Sequence, residues 1–396
     1  MSHDRLHPDL PRCDSTSDSI NDSTVNDTHD STRDAVPAAG PLARLGYDDA
    51  WADALTGTRT VEVQPCPRYP ARVVRTDKGA CDLLAELGPV RATWGADILA
   101  AVAGDPMAVP STGDWAVVQP WPDGRTTVEA VLPRRSCVTR AQVNGSSAGQ
   151  VLAANVDVVA VVEGLVPDPD LGRVERLLAL AWQSGATPRL VLTKGDLAAD
   201  ATELAADIGA SVAAGCPVDV TAAHEGRGLD ELRSILGRGA TVALLGASGV
   251  GKSTLLNALV GATLMRTQSL GAVQKGRHTT VTRELHLAAG GGAVIDTPGL
   301  RSVGLAGGEG LREVFADVEE LALDCRFTDC AHESEPDCAV LAAVESGELA
   351  ERRLASWRKL QREAAFQARR VDARLRQAEV KVWKQRARDA RTRTRP

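Results

Sequence analysis

The segment GASGVGKS, Gly246 to Ser253, constrains the fold of this 396-residue chain more than any other feature. It satisfies the pattern G-x-x-x-x-G-K-[S/T], follows the apolar run TVALL and opens the helical pattern KSTLLNAL. Glycines in such a loop let consecutive backbone amides and a helix N-terminus point at phosphate oxygens. The segment therefore predicts a strand, a phosphate-binding loop and a helix in an α/β domain rather than a plain glycine turn.

The polar side chains of this loop have distinct expected roles. Lys252 would neutralise the β- and γ-phosphates of a nucleotide, and the Ser253 hydroxyl would bind Mg²⁺. The residues expected to contact the nucleotide at this loop are Gly246, Ala247, Ser248, Gly249, Val250, Gly251, Lys252, Ser253 and Thr254.

Two downstream segments carry residues that suit a phosphate sensor. In AVIDTPGL, Asp296 follows an apolar run and could hold Mg²⁺ through water, while the Gly299 amide could contact the γ-phosphate. In GRHTTVTREL, Thr280 is the first candidate to close over the metal ion and Thr279 the second. An Asp-Thr-Pro-Gly turn alone is a common loop, so the phosphate loop is what favours the functional interpretation.

A third segment, LVLTKGDL, has the residues of a base-reading loop after an apolar strand. The Asp196 carboxylate can accept both hydrogen bonds that the edge of guanine donates, which adenine does not offer. The residues expected at the base are Thr193, Lys194, Gly195 and Asp196, with Thr221 and Ala222 of DVTAAHEGRGLDEL as its support. The alternative is a solvated Lys-Gly-Asp turn.

The order of these elements is unusual because the base-reading loop precedes the phosphate loop. From Asn155 onward, apolar strands alternate with helical segments, which predicts a mostly parallel sheet covered by helices over residues 137–305. A circular permutation explains the order, since a parallel sheet can keep its strand neighbours while the chain is cut elsewhere.

The region before this domain contains two segments of different amino-acid composition. Residues 1–45 are dominated by Asp, Ser and Thr, which predicts a disordered acidic tail. Residues 60–136 contain short β-prone runs between turn signals, which predicts a five-stranded barrel of the oligonucleotide-binding (OB) type, with an SH3-like barrel as the alternative. The arginines expected near a nucleic-acid surface are Arg72, Arg75, Arg91, Arg134 and Arg135.

The region after it, residues 306–396, is predicted to be helical and to bind a metal. Its long helical stretch from Glu348 to about Arg388 is predicted to pack one apolar face, because apolar residues recur there every three to four positions: Leu354, Trp357, Leu360, Ala364 and Ala368. The spacing Cys-x4-Cys-x-His-x5-Cys brings together Cys325, Cys330, His332 and Cys338, a closed tetrahedral ligand set for one structural Zn²⁺. The other cysteines, Cys13, Cys66, Cys81, Cys137 and Cys216, are expected to be reduced thiols. Residues 351–396 hold 16 Lys or Arg against 5 Asp or Glu, which suits either a polyanion-binding tail or a solvated basic face.

Together these motifs resemble the family of ribosome small-subunit-dependent GTPases over about residues 60–390. The resemblance implies an OB-fold barrel, a circularly permuted GTPase domain and a zinc-binding helical domain. It also implies hydrolysis of GTP to GDP with Mg²⁺, stimulated by the small ribosomal subunit, and binding to that subunit and its rRNA late in its maturation. Thr193 stands where many members have Asn, so one support of the guanine pocket is expected to be weaker.

Further expectations concern turnover and location. Leu300 stands where Ras-like enzymes use Gln to orient water, so intrinsic hydrolysis should be slow, and His278 is the candidate for that role unless it is a plain surface histidine. No apolar run approaches the roughly 18 residues that span a bilayer. The chain is expected to be a cytoplasmic monomer that binds no membrane.

Two other functions fit parts of the sequence. A phosphate-loop ATPase or small-molecule kinase would bind ATP, but it gives no reason for TKGD, the barrel or the basic tail. An RNA-binding module without turnover would not need Lys252, Ser253 and Asp296 together.

Overall fold

The computed structural model describes residues 40–58, 66–140, 149–212, 215–261, 283–297 and 308–371. Several predictions fall outside these ranges: the greater part of the acidic tail, the metal-closing candidates Thr279 and Thr280, the candidate water-orienting His278, and Gly299 and Leu300. Within the described ranges, no helix combines the length and apolar character that crossing a membrane requires.

Two short helices precede the barrel, α1 (Pro41–Arg44) and α2 (Asp49–Gly57). Residues 40–45 therefore differ from the acidic tail to which they were assigned from the sequence. The reason is that Leu42 and Leu45 are apolar enough to be buried, whereas the preceding Asp, Ser and Thr residues offer nothing comparable.

The barrel is closed and has five strands in the order β1-β2-β3-β5-β4. The strands are β1 (Tyr69–Asp77), β2 (Ala80–Ala85), β3 (Gly88–Trp94), β4 (Trp115–Pro120) and β5 (Thr126–Val131). Helix α3 (Ala96–Gly104) connects β3 to β4, and β3 pairs with β5 in parallel. This topology is that of an OB-fold, so the predicted barrel type is confirmed.

The central domain contains a six-stranded sheet in the order β10-β9-β8-β11-β13-β12. Its strands are β8 (Val158–Gly164), β9 (Thr187–Thr193), β10 (Val218–Val220), β11 (Thr241–Leu245), β12 (Glu284–Leu287) and β13 (Ala293–Asp296). All neighbours are parallel except β12, which runs antiparallel to β13. A separate hairpin, β6 (Cys137–Arg140) with β7 (Gln150–Ala154), leads into the sheet.

Helices cover both faces of this sheet: α4 (Leu171–Gln183), α5 (Ala201–Val212), α6 (Asp230–Gly237) and α7 (Lys252–Val260). Alternate residues of β8 divide between two cores, with Val159 and Val161 in one and Val158, Ala160 and Val162 in the other. Because both faces are buried, the strands have continuous apolar runs rather than alternating polarity. Such runs are typical of parallel sheets, so the sequence predicts this one correctly.

The C-terminal region consists of α8 (Glu309–Val314), α9 (Ala316–Ala322), α10 (Ala339–Ser346) and α11 (Glu351–Val371). The apolar face predicted for α11 is present, since Leu354, Leu360 and Ala364 are buried in the same core as α4. Helix α11 is therefore part of the folded body.

Two of the arginines expected on a nucleic-acid surface are engaged inside the fold, Arg72 fully buried and Arg134 half-buried, which corrects that expectation. The guanidinium of Arg72 donates to the Asn155 carbonyl oxygen at 2.8 Å and to Thr241 Oγ1 at 3.1 Å. Arg134 forms an ion pair with the buried Asp114 at 2.8 Å. Both side chains stabilise the fold internally because their partners lie inside it. The sequence pattern of a single strand does not show where those partners are.

The other three arginines are more exposed but paired. Arg75 and Arg91 both contact the carboxylates of Asp77 and Asp82 on the barrel. Arg135 contacts Asp48 at 2.6 Å and lies over the ring of Trp51, joining the hairpin region to α2.

Candidate functional site

The phosphate loop connects the end of β11 to the start of α7, as predicted from the sequence. A Cβ atom at Gly246 would lie 2.4 Å from the Val162 carbonyl oxygen, so no larger residue fits there. Gly249 and Gly251 have φ angles of 87° and 103°, which side chains other than glycine rarely adopt. The loop therefore depends on its glycines both for close approach to β8 and for backbone shape.

Lys252 and Asp296 are two buried ionisable residues of opposite charge beside this loop. The Lys252 ammonium donates to the carbonyl oxygens of Gly246 and Ala247, at 2.8 and 2.6 Å. Burial lowers the pKa of Lys252, and burial raises the pKa of Asp296, while each charge opposes the shift of the other. Buried groups with pKa values shifted in this way are typical of a functional site, here one that a charged ligand would complete.

Asp296 has features that suit a metal-binding carboxylate. Its Oδ1 atom is buried without a hydrogen-bond partner among the described residues, and the side chain lies at the end of β13. The adjacent Thr297 donates its hydroxyl to the Leu244 carbonyl oxygen at 2.6 Å, which holds this strand end against β11. A free carboxylate oxygen together with the Ser253 hydroxyl is the kind of oxygen donor set that Mg²⁺ takes beside a nucleotide.

The base-reading loop is tied directly to the phosphate loop by Thr193. The buried Thr193 hydroxyl lies within hydrogen-bonding distance of the Val250 carbonyl oxygen, and 3.2 Å from that of Glu163. A Cβ atom at Gly251 would lie 3.0 Å from Thr193 Oγ1. The sequence predicted a weaker support at this position and gave no sign that the threonine would bridge the two loops.

Asp196 is available for a ligand at the same edge of the sheet. Its Oδ1 atom is buried and has no hydrogen-bond partner among the described residues. The loop around it is fixed, because the Gly195 amide donates to the Thr221 carbonyl oxygen at 3.0 Å and the Lys194 ammonium donates to that of Val166 at 2.8 Å. Thr221 and Ala222 are both buried behind it, so the six predicted base-site residues lie together.

Two functional-site neighbours were not found from the sequence. His224 places Nε2 3.7 Å from Asp196 Oδ2. Glu163, at the end of β8, is buried and accepts two hydrogen bonds from Arg173 at 2.8 and 2.9 Å. Neither belongs to a recognisable motif, and only the fold brings them to the nucleotide end of the sheet.

The four predicted metal ligands come together in space. Their ligand atoms all lie within 4.8 Å of one another. Sγ of Cys325 is 3.8 Å from Sγ of Cys338, and His332 Nδ1 is 3.4 Å from Sγ of Cys338 and 3.6 Å from Sγ of Cys325. Tetrahedral zinc with its usual bond lengths separates two sulfur atoms by about 3.8 Å, so the donor set and its spacing both fit Zn²⁺.

Four of the remaining cysteines lie among the described residues and divide into two groups, whereas Cys13 lies outside those residues. Cys81, Cys137 and Cys216 are free thiols, as expected. Cys66 is disulfide-bonded, which corrects the expectation of a reduced thiol there. Disulfide pairing depends on which sulfur atoms meet in the fold, and the spacing of isolated cysteines does not give that information.

The family model and two curated relatives that match this chain carry the same family name. A sequence model of the RsgA GTPase family matches residues 131–306. A small ribosomal subunit biogenesis GTPase RsgA of Streptomyces coelicolor is 48% identical over 350 residues, covering 87% of this chain and 92% of the relative. The protein of the same name from Opitutus terrae is 44% identical, and the match covers 87% of this chain and 95% of that relative.

Solved structures agree on the fold. The crystal structure of YjeQ from Thermotoga maritima matches with a TM-score of 0.54 at 28% identity, covering 74% of this chain and 97% of that one. YloQ, described as a circularly permuted GTPase, matches with a TM-score of 0.52 at 23% identity, covering 78% of this chain and 98% of that one. The second likeness concerns the fold alone, and it supports the permuted strand order.

Proposed function

From the premise that this chain belongs to the RsgA GTPase family, we propose that it hydrolyses GTP and assists the late maturation of the small (30S) ribosomal subunit. The ribosomal part rests on the names of relatives that are 48 and 44% identical over 87% of the chain. The GTPase part also rests on the geometry of the site, in which one observation has the most weight: the base-reading loop and the phosphate loop are in contact through Thr193 and Val250.

Guanine selectivity is assigned to Asp196. Its buried, unpaired oxygen would accept a hydrogen bond from the guanine edge, and leaving it without a donor is costly in a buried site. Thr193, Lys194 and Gly195 shape the same loop, while Thr221 and Ala222 support the base from behind. An adenine ring would present no matching pair of donors, so ATP should be a poor substrate.

The phosphates are assigned to the loop from Gly246 to Ser253 and to the following Thr254. Lys252 would exchange its two contacts with loop carbonyl oxygens for phosphate oxygens, which its buried charge favours. Mg²⁺, when bound, would neutralise charge on the β- and γ-phosphate oxygens. Ser253 would hold the ion directly, and Asp296 would hold it through water.

Catalytic roles in the switch segments are proposed from their sequence. Thr280, or Thr279 in its place, would close over the metal ion, and the Gly299 amide would contact the γ-phosphate. Leu300 cannot orient water, so we assign that role to His278. The proposal predicts slow turnover by the protein alone and faster turnover once the subunit orders the switch.

Zn²⁺ is proposed as the occupant of the Cys325, Cys330, His332 and Cys338 cluster. With four protein ligands the ion has no open position for a substrate, so its role would be structural. It would fix the segment between α9 and α10 against α11, where the ring of Trp357 packs 5.4 Å from that of His332.

The partners follow from the same family assignment. The OB-fold barrel and the basic C-terminal segment would contact rRNA, and the protein would act as a monomer in the cytoplasm, where ribosomal subunits mature. Nothing in this proposal requires a membrane.

The deciding experiment is nucleotide hydrolysis by the purified protein, alone and with small ribosomal subunits, with ATP as the comparison nucleotide. We expect strong stimulation of GTP turnover by the subunit and little ATP turnover. Equal use of ATP would favour the alternative of an unrelated phosphate-loop ATPase or kinase, and absence of stimulation would contradict the ribosomal role. His278→Ala should lose the stimulated rate; if that rate is intact, the assignment of His278 is wrong.

A further inference from the structure

An imidazole lies beside the carboxylate to which guanine selectivity is assigned. His224 places Nε2 3.7 Å from Asp196 Oδ2 and 3.7 Å from Glu225 Oε1. The His224 side chain is 57% exposed, whereas that of Asp196 is only 13% exposed. A base that binds Asp196 at this end of the sheet therefore shares the carboxylate with His224 or displaces it.

The turn that carries His224 has a fixed backbone. The Ala222 amide donates to the Arg227 carbonyl oxygen at 3.1 Å, and the Glu225 amide donates to the Ala222 carbonyl oxygen at 2.9 Å. Ala222 is buried and is itself one of the residues assigned to support the base. The turn that supports the base therefore also keeps the imidazole close to Asp196.

Guanine and the imidazole have overlapping demands on this carboxylate. The guanine edge presents adjacent N–H donors that pair best with both oxygens of an ionised carboxylate. Asp196 Oδ1 is buried without a hydrogen-bond partner among the described residues, but Oδ2 faces His224. At 3.7 Å a neutral imidazole is too distant for a hydrogen bond. A protonated imidazole attracts the carboxylate over the same distance and offsets part of the charge that strengthens its bonds to guanine.

The charge of this group depends on pH. Histidine is the side chain that ordinarily gains or loses its charge between about pH 5 and 8. Among the described residues, the carboxylates that face the imidazole are those of Asp196, from the loop after β9, and Glu225, from its own turn. The cations nearby have other partners, since Arg227 pairs with Glu225 and the Lys194 ammonium donates to a backbone carbonyl oxygen.

We propose that His224 is an affinity-determining residue of the guanine site, whose protonated imidazole competes with the guanine N–H donors for Asp196. Guanine then binds better to the protein with a neutral imidazole. Nucleotide affinity therefore falls as the pH falls through the range in which His224 takes up its proton, and by reciprocity guanine binding releases that proton. The inference rests on the proposed role of Asp196 in guanine recognition.

The test is the GDP affinity of the full-length protein, measured by calorimetry at about pH 6 and at about pH 8. GDP is used because it is not hydrolysed. At the lower pH, His224→Asn should bind GDP about two- to fivefold more tightly than the unchanged protein, which is the scale of an exposed ion pair. At the higher pH the two affinities should agree. Comparison at the same pH cancels the titration of the phosphates, which is common to both proteins.

Proton release separates this competition from a merely structural role of His224. Calorimetry in buffers with different enthalpies of ionisation counts the protons that GDP binding releases. The unchanged protein should release more protons at the lower pH than His224→Asn does. The matched control is Arg233→Gln, which removes an exposed positive charge from α6, the helix that follows the turn. This variant should keep the pH dependence and the proton release of the unchanged protein.

Each other outcome has a distinct meaning. Equal GDP affinities and equal proton release for the unchanged protein and His224→Asn at the lower pH would overturn the inference. Weaker GDP binding by His224→Asn at both pH values would also overturn it, since the imidazole would then support the base. In either case the GTPase proposal would stand. Failure of the unchanged protein to bind GDP at either pH would remove the guanine assignment together with the inference.

Discussion

One carboxylate, Asp196, should decide which nucleotide this protein accepts. Replacing it by Asn exchanges an oxygen acceptor for an amide NH2 group. The N–H donors of the guanine edge would then face another donor instead of an acceptor. We expect Asp196→Asn to lower GTP affinity about 100-fold or more and to raise affinity for xanthosine triphosphate, whose base has a carbonyl oxygen at the corresponding position. Competition binding with the two nucleotides measures both changes.

The exposed Asp200, a few residues further along the same segment, offers a matched control. Asp200→Asn removes the same charge from the region but should leave both affinities unchanged. If Asp196→Asn and Asp200→Asn behaved alike, the base would have to be read elsewhere.

A second carboxylate, Asp296, should lower the stability of the folded protein while being required for GTP turnover. Burial raises its pKa, with Lys252 acting in the other direction. A carboxyl group whose pKa is higher in the folded state favours folding when protonated, and that contribution is lost as the pH rises through the folded-state pKa. At neutral pH, Asp296→Asn should therefore stabilise the nucleotide-free protein while lowering GTP turnover about 100-fold or more.

Thermal unfolding without nucleotide, at neutral and at mildly acidic pH, measures the stability difference. It should be largest at neutral pH and should narrow as the pH falls. A variant that is less stable than the unchanged protein at neutral pH would contradict this account of Asp296.

At the residue scale, the sequence identified candidate site residues where the spacing of residues within a short motif defines the site. The phosphate loop, the Thr193 to Asp196 loop and the four metal ligands each form a compact group, because each is a short local motif whose backbone shape depends on its own residues. Glu163 and Arg72 could not be assigned in the same way. Their partners are far away in the chain and come close only through the fold.

At the scale of elements, the contact between α4 and α11 joins the GTPase domain to the C-terminal helices. Glu175 of α4 is fully buried and accepts from Arg353 at 2.9 Å and from Arg352 at 3.0 Å. Arg353 in turn contacts Asp317 of α9 at 2.8 Å. Arg353 of α11 thus links α4 and α9, and removal of the Glu175 carboxylate would leave this buried arginine with one partner fewer.

We expect Glu175→Gln to lower the free energy of unfolding by about 3 kcal/mol, because it leaves buried positive charge incompletely paired. Arg352→Ala should cost about 1 kcal/mol or less, since its side chain is 41% exposed. Denaturant titration of both variants makes the comparison. Equal decreases would mean that burial of this pair does not govern its contribution.

The sequence predicted these elements well where the pattern was strong. The continuous apolar strands and the periodic apolar face of α11 were recognisable because burial selects residue types at a regular spacing. The start of the folded chain was placed too late, since α1 depends on two leucines that bury against other parts of the fold rather than on a pattern of its own.

At the scale of the whole molecule, positive charge is concentrated in the last part of the sequence. The acidic partners of the barrel arginines reduce the positive charge available there, while residues 372–396 hold nine Lys or Arg against three Asp or Glu. This segment follows the described part of α11, Glu351–Val371, so its removal leaves all of that part in the chain. It is the better place to test the polyanion-binding interpretation than a deletion from residue 351.

Removing residues 372–396 should weaken binding to the small ribosomal subunit and reduce its salt dependence, by about one unit of logarithmic slope for each phosphate that the protein no longer neutralises. Thermal stability and GTP affinity of the shortened protein should be unchanged. Binding assays over a range of salt concentrations measure the slope. An unchanged slope would return the segment to a solvated basic face.

The permuted strand order also has a mechanical consequence. In a GTPase with the usual order, the chain that leaves the strand end equivalent to Asp296 returns to the sheet, so a later strand restrains it. In this chain residues 297–308 connect the same strand end to Glu309 at the start of α8. The segment that would sense the γ-phosphate is therefore also the covalent connection from β13 to α8, the first of the C-terminal helices.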